Sequence, residues 1–310
     1  MARRRKGKPV HGWLILDKDK GLTSTQAVAK VKRLYDAAKA GHAGTLDPLA
    51  TGVLPIALGE ATKTVSHVME GIKSYAFTVR WGIETDTDDS EGRPVRESES
   101  RPTPEEIEAI LDEFTGSIMQ VPPTYSAVKV EGERAYDLAR EGEDFELAAR
   151  PAHIDRLEVS EHKNGDLTEF EADCAKGTYV RALARDFGRS LGCFGHVVAL
   201  RRRRVGPYLD EHTISLDKLQ EISHSAAGRE GLLAILKPVE TALDDIPALA
   251  VSGNDAARLK RGQAVLLRGR DAPILKGSVY AMSRGTLVAL GEVDQGELRP
   301  IRVFNMNAQP

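Results

Sequence analysis

Residues 41–55 read GHAGTLDPLATGVLP, with three glycines and two prolines in fifteen positions. Proline fixes φ and removes a backbone donor, and glycine opens conformations that other residues avoid. That density predicts a tightly shaped loop between short elements. A polar side chain on such a loop is held in place by the backbone around it. Asp47, followed directly by Pro48, is therefore the first residue to weigh for chemistry.

The flanking pattern is that of a mixed α and β chain. GWLILD predicts a short buried strand over 12–17, the turn DKDKG follows, and a helix starts near Thr23 or Ser24 with Val28, Val31 and Leu34 or Tyr35 inward. Gly59, Ala61 and Lys63 continue a small-residue stretch. In SYAFTVRWG (74–82), Tyr75, Phe77, Val79 and Trp81 share one strand face. Residues 84–99 hold seven acidic side chains against Arg93 and Arg96 and read as a solvated loop. Thr103 with Glu106 forms a capping box, with Pro104 at the first helical position.

Further strands are expected near 125–130, 144–149, 153–162, 167–174 and 196–205, with helices near 132–140 and from Thr178 to about Gly188. A Ser/Ala/Gly stretch and the helix LLAIL lead to Pro247. Beyond it, glycines at 262, 269, 277, 285, 291 and 296 punctuate short strands, a pattern that fits a small barrel-like domain over 248–305.

At 310 residues the chain is long enough for one large domain and a smaller one. Its 43 basic and 46 acidic side chains leave a net charge of −3, which excludes a uniformly basic coat but not a local nucleic-acid groove. The tail over residues 1–9 carries Arg3, Arg4, Arg5, Lys6 and Lys8, either as a flexible extension or as electrostatic help in binding RNA. Two cysteines make no disulfide framework or paired zinc spacing. No apolar run reaches the roughly 18 residues of a membrane span, and the apolar stretch after the basic tail is too short for a secretory signal, so the expected address is the cytoplasm. Phosphate-binding, dinucleotide-binding, zinc-protease and hydrolase-elbow motifs are missing from the sequence.

Asp47 before Pro48 either caps a turn or is a carboxylate held in a cleft as nucleophile or base. Arg181 falls in the first turn of its helix, where the dipole disfavours positive charge, so an anion is expected to face it. Arg181, Arg185 and Arg189 recur every four residues and form a basic stripe, either solvated or set against phosphate or carboxylate. Lys18, Lys20 and the Arg201–Arg204 run add to a local polyanion surface. Tyr75 and Tyr179 either pack in the core or stack on a base.

HAGTLDPLATGVLP (42–55) resembles the catalytic motif of the TruB-type tRNA pseudouridine synthases, bacterial enzymes acting on the T-loop uridine. The resemblance continues through GEATK (59–63), Tyr75 within KSYAFTVRWG, TDTDD (85–89), KGTYVRALARDFG (176–188) and LGCFGHVVALRR (191–202). It implies an α+β fold in which a mixed, largely antiparallel sheet carries a catalytic cleft over residues 10–240, with a small β-rich PUA-like RNA-binding domain over 248–305. The implied activity is isomerisation of uridine 55 in tRNA, with no cofactor, no metal, the T arm as partner, no obligate protein partner and a monomeric state.

Carried over residue by residue, the resemblance makes Asp47 the essential aspartate, Arg181 its partner and Tyr75 the tyrosine that packs on the target base. His42 is implied near the flipped nucleotides, and Lys18, Lys63, Tyr179 and Leu200 match further positions of the substrate site. Lys20, Arg185, Arg189 and Arg202 are candidates for the RNA backbone. One departure stands out: the family's usual proline after Asp-Lys is Asp19 here, which is expected to loosen the turn and to place a carboxylate near phosphate. The runner-up from another class is a protein that binds and folds RNA without modifying it.

Overall fold

A computed structural model describes residues 7–130, 132–267 and 276–306. Arg3, Arg4, Arg5, Lys6 and Gly269 lie outside the described residues. β1 (Gly12–Lys18) is apolar almost throughout because both of its faces are covered. Leu14 and Leu16 join the main core, whereas Trp13 and Ile15 join a second cluster that reaches the C-terminal sheet. α1 (Ser24–Leu34) begins where Thr23 and Gln26 form a capping box, and it buries Ala27 and Val31.

β2 (Ala40–His42) leads into the loop at 43–50, and β3 (Thr51–Leu58) follows. The expected loop is thus shorter than the Gly/Pro pattern implied. Pro55 lies within β3, opposite Ile15 of β1, and Gly52 takes φ +95° beside the backbone of Arg202. A Cβ on Gly52 would stand 2.3 Å from the Arg202 carbonyl oxygen, so this close approach of two backbones needs glycine. A 3-10 turn (Gly59–Lys63), α2 (Val65–Glu70) and β4 (Lys73–Trp81) come next. The alternation of β4 is realised: Phe77 stacks on Phe170 at 5.3 Å, and Trp81 meets Phe170 edge-on at 6.2 Å.

The acidic segment departs from its reading as a solvated loop. β5 (Ile83–Thr85) and β6 (Pro94–Glu97) form a hairpin, and Glu84, Asp88 and Asp89 inside it are buried. α3 (Pro104–Ile110) carries the expected capping box. After β7 (Gly116–Gln120), the expected strand at 125–130 shrinks to β8 (Lys129–Val130), which pairs with β9 (Glu133–Arg134) ahead of α4 (Ala135–Glu141). No strand forms at 144–149; the hydrogen-bonded run begins instead at β10 (Arg150–Asn164), paired to β7 and to β11 (Leu167–Cys174).

α5 (Val180–Ser190) starts one residue later than a Thr178 cap would give, with Tyr179 at the N-cap. β12 (Gly195–Val205), β13 (Tyr208–Leu209), β14 (Ile214–Ser215), α6 (Leu216–His224) and α7 (Gly228–Ile235) complete the larger unit. Its ten-stranded sheet runs β14-β1-β3-β12-β4-β11-β10-β7, with β2 added to β3 and β13 to β12. Only the β1–β14 and β3–β12 pairs are parallel, so the sheet is mixed and largely antiparallel.

A separate curled sheet, resembling a PUA-like domain, is built from β15 (Ala248–Ala250), β16 (Val265–Leu266), β17 (Gly277–Ser283), β18 (Thr286–Asp294) and β19 (Glu297–Val303) in the order β15-β17-β18-β19-β16. α8 (Gly253–Lys260), capped by Ser252, packs on it and was not expected from the strand-like spacing. The two sheets share one apolar cluster in which Trp13, Val53 and Leu243 meet Leu287, Leu290 and Phe304. Among the described residues no helix is long and apolar enough to cross a membrane.

Gly52→Ala should lower stability by about 2 kcal/mol, because both the positive φ and the backbone contact oppose a side chain. A urea unfolding midpoint unchanged from wild type would refute this account of the β3–β12 junction.

Candidate active site

The start of α5 is set by tertiary contacts, since Tyr179 offers no side-chain cap. Gln120, at the end of β7, accepts the Tyr179 N–H at 2.8 Å and donates to the Tyr179 carbonyl at 3.1 Å. Arg181 then lies in the first turn, 5% exposed. All three guanidinium nitrogens are engaged. Nε meets Asp47 Oδ2 at 2.8 Å, Nη1 donates to the Thr87 carbonyl at 2.8 Å and lies 3.7 Å from Asp89 Oδ2, and Nη2 donates to the Tyr125 carbonyl at 2.9 Å. The anion that the helix-dipole argument required is present: it is a pair of aspartates.

The Asp47 loop is pinned from several directions. Ser24 both accepts the Leu46 N–H and donates to the Leu46 carbonyl, at 2.8 and 3.0 Å. Gly21 N–H donates to the Pro48 carbonyl at 2.7 Å. The Lys18 ammonium, fully buried, donates to the carbonyls of Leu22, Asp19 and Pro48 at 2.7, 2.9 and 3.4 Å. Asp19 is exposed, and its turn is held by this ammonium in place of the rigidity a proline would bring. Held at its backbone, Asp47 keeps a side chain that is 36% exposed and open to a substrate.

Arg202 is the second clamp. It lies buried on β12 and donates from Nε to the Val53 carbonyl at 2.9 Å, from Nη1 to Thr45 at 3.2 Å and from Nη2 to Gly44 at 3.0 Å. Three carbonyls around the Asp47 loop thus converge on one permanent cation. Tyr75 is opposite Arg202 in the β4–β12 register, close enough for each to act on the charge of the other. Burial raises the Tyr75 phenol, with the Arg202 charge pulling the other way. Burial, then the Arg202 charge, lowers the His42 imidazole below its ordinary value, so it is neutral at pH 7. Burial also raises the Tyr179 phenol.

Among the other cationic candidates, the arginines and Lys63 have partners within the protein. Arg185 pairs with Asp88 and Asp186, and Arg202 donates to carbonyls of and beside the Asp47 loop. Arg189 is half exposed, yet its guanidinium grips Glu84 through two hydrogen bonds of 2.8 Å. The arginine stripe is therefore set against carboxylates. Lys63 pairs with Glu60 at 2.6 Å, donates to the Val303 carbonyl at 2.8 Å and sits over the Phe304 ring, none of them in the Asp47 loop. Leu200 is a core residue opposite Phe77, and Lys20 is exposed.

Asp88, Asp89, Glu84, Gln120 and Ser24 were missed as site residues. Glu84 and Asp88 are four residues apart, as are their partners Arg189 and Arg185, whereas Asp89, which faces Arg181, directly follows Asp88. Nothing local marks Gln120 or Ser24, whose partners are 59 and 22 residues away in the chain.

Residues 32–180 match the model of the TruB family pseudouridylate synthase N-terminal domain, and residues 181–244 match the tRNA pseudouridylate synthase B C-terminal domain. The tRNA pseudouridine synthase B of Nitrobacter winogradskyi is 63% identical over 305 residues, covering 98% of this chain and 85% of the relative. The protein of the same name from Rhodopseudomonas palustris is 63% identical over 304 residues, covering 98% and 83%. Among solved structures, a chain of an H/ACA RNP bound to a substrate RNA containing 2'-deoxyuridine superposes with a TM-score of 0.73 at 24% identity, covering 100% of this chain and 93% of that one. That last likeness is one of fold.

Burial pushes the Lys18 ammonium down to about 8, while Asp47, Asp19 and Glu91 draw it back up. The folded protein therefore releases this proton before the unfolded chain does, and Lys18 should contribute increasing stability as pH rises from about 8 toward the ordinary lysine value near 10.4. The stability difference between wild type and Lys18→Met should shift in favour of wild type across that window. A pH-independent difference, measured by chemical denaturation, would contradict the assignment.

Proposed function

The chain belongs to the TruB family of pseudouridylate synthases and is a tRNA pseudouridine synthase, and on that premise we propose that its target is uridine 55 in the T loop, acted on by Asp47. The observation that carries the reading is the 2.8 Å contact of Arg181 Nε with Asp47 Oδ2, which fixes one carboxylate oxygen while the side chain stays 36% exposed. The reaction breaks the N1–C1′ glycosidic bond, reorients the retained uracil, joins C5 to C1′ and releases the C5 proton. Attack at C1′ and proton abstraction at C2′ both require a carboxylate oxygen aimed at the ribose. The Ser24, Lys18 and Arg202 contacts supply that aim through the backbone, and Arg181 supplies it through the side chain.

The target nucleotide must leave its stack to reach Asp47, at a cost of a few kcal/mol met by contacts in the bound state. Tyr75, opposite Arg202 on the neighbouring strand, offers a ring to pack on the uracil. Neutral His42 and Tyr179 line the same substrate site in this reading, with Lys18 and Arg202 supporting it from behind. The T arm is recognised by shape and by phosphate contacts, for which Lys20 is the exposed candidate beside the Asp47 loop. Residues 10–240 form the synthase unit and residues 248–305 a PUA-like unit that extends the RNA surface. The enzyme works as a monomer in the cytoplasm without an obligate protein partner.

Incubation with a tRNA transcript tritiated at uridine C5 tests the reaction. Wild type should release tritium in a single turnover and Asp47→Asn should not, with both proteins retaining the RNA on a filter. Tight binding without release by wild type would favour the RNA-folding alternative. Arg181→Lys keeps the charge but cannot reach the Asp47, Thr87 and Tyr125 acceptors in one plane, so turnover at saturating RNA should fall about 100-fold. A near-normal rate would show that charge alone suffices.

A further inference from the structure

Arg185 lies one turn beyond Arg181 on α5 and repeats its pattern of contacts. Its Nη1 donates to Asp88 Oδ2 at 2.9 Å, its Nη2 to the Val121 carbonyl at 2.7 Å and its Nε to Asp186 Oδ1 at 2.9 Å. Both side chains of the Arg185–Asp88 pair are 7% exposed. Asp88 sits between Thr87 and Asp89, whose carbonyl and carboxylate face Arg181. Val121 lies on the same segment as Tyr125, the remaining carbonyl that Arg181 uses. The two arginines thus tie the same two segments to the helix at successive turns.

Asp88 also shapes the acidic turn through its backbone. It adopts φ +60°, a left-handed conformation that Asp and Asn tolerate better than most residues. Its N–H donates to the Thr85 carbonyl at 3.1 Å, and its carbonyl accepts from Val197 N–H on β12 at 3.1 Å. A buried ion pair is poor evidence of stabilisation, because desolvation offsets the attraction. Here burial pushes the Asp88 carboxyl up to about 6, with Arg185, Arg181 and Arg189 of α5 pulling it down and Glu84 of β5 adding to the push. A carboxyl raised above its unfolded value favours folding while it is protonated, so the Asp88 contribution falls as pH rises from about 3.9 to about 6 and is level above that.

We propose that Arg185 and Asp88 are positioning residues for the reaction at Asp47: their pair fixes the register of the acidic turn against α5, and with it the direction in which Arg181 holds the Asp47 carboxylate. The inference rests on the reading of Asp47 as the group that acts on the target uridine. As pH falls through 6, Asp88 takes up a proton, Arg185 keeps only Asp186 as a charged partner, and the turn that presents Thr87 and Asp89 loses one of its two anchors on the helix, leaving Arg181 to hold it alone.

The test is single-turnover tritium release from uridine C5 across pH 5 to 8 by wild type, Asp88→Asn and Asp88→Asn/Arg185→Met, with Tm and filter binding of the tRNA alongside. Asparagine keeps the shape and tolerates the left-handed backbone, and the double variant removes the buried charge pair as a unit. The double variant should melt close to wild type and bind tRNA normally, yet release tritium at least about tenfold more slowly at neutral pH. Wild type should lose rate below pH 6, and both variants should lack that acid limb. A wild-type rate in the double variant would overturn the positioning role while leaving the reading of Asp47 intact. Should the double variant fail to fold, an unchanged acid limb in Asp88→Asn would overturn the role equally. No release by wild type would overturn both readings together.

Discussion

The guanidinium of Arg181 joins three stretches of chain that are remote from one another in sequence: the Asp47 loop, the acidic turn at Thr87–Asp89 and the segment at Tyr125. Each nitrogen has its own acceptor, and the planar fork leaves little freedom in how they are arranged. The charge cannot be given up, so burying it obliges the surrounding chain to supply anions and carbonyl dipoles. Two aspartates and two carbonyls meet that demand. The same contacts that satisfy a buried cation therefore orient the carboxylate on which the chemistry rests.

A second consequence concerns loops. The loop at 43–50 lies outside the strand ladder, and a buried loop with unpaired carbonyls is costly. Around Asp47 two buried cations take up this role: Lys18 under Pro48, and Arg202 under Gly44, Thr45 and Val53. Rigidity in this loop is thus a matter of electrostatics as much as of proline and glycine. It also explains how the chain keeps its turn at Asp19 without a proline, since the Lys18 ammonium holds the Asp19 and Leu22 carbonyls.

The larger and smaller sheets are joined by apolar packing through the two-faced strand β1 and by polar stitches at the edge. Lys63 bonds the Val303 carbonyl, and Glu60 accepts the Asn305 N–H at 2.8 Å. Lys63 belongs to this junction, which gives a structural reason for a lysine within GEATK that its place near the Asp47 motif disguised.

Periodicity and turn chemistry made much of the local structure legible. The buried strand β1, the capping boxes of α1 and α3, and the apolar face of β4 follow from spacing that acts over a few residues. Asp47 could be singled out because its Gly/Pro surroundings are written in sequence, and the need of Arg181 for an anion follows from its place in the first turn of a helix. What the sequence could not determine is which charges would be buried together. The acidic run at 84–99 looks like any solvated loop until α5 is laid against it, and the arginine stripe looks like any wet helix face until Glu84, Asp88 and Asp89 arrive. Ion pairs of this kind join residues about a hundred positions apart, and only the packing of β5, β12 and α5 brings them within hydrogen-bonding distance. Gln120 at the N-terminus of α5 is decided in the same way: its amide has no local partner, and the tertiary fold alone supplies the Tyr179 backbone that it clamps.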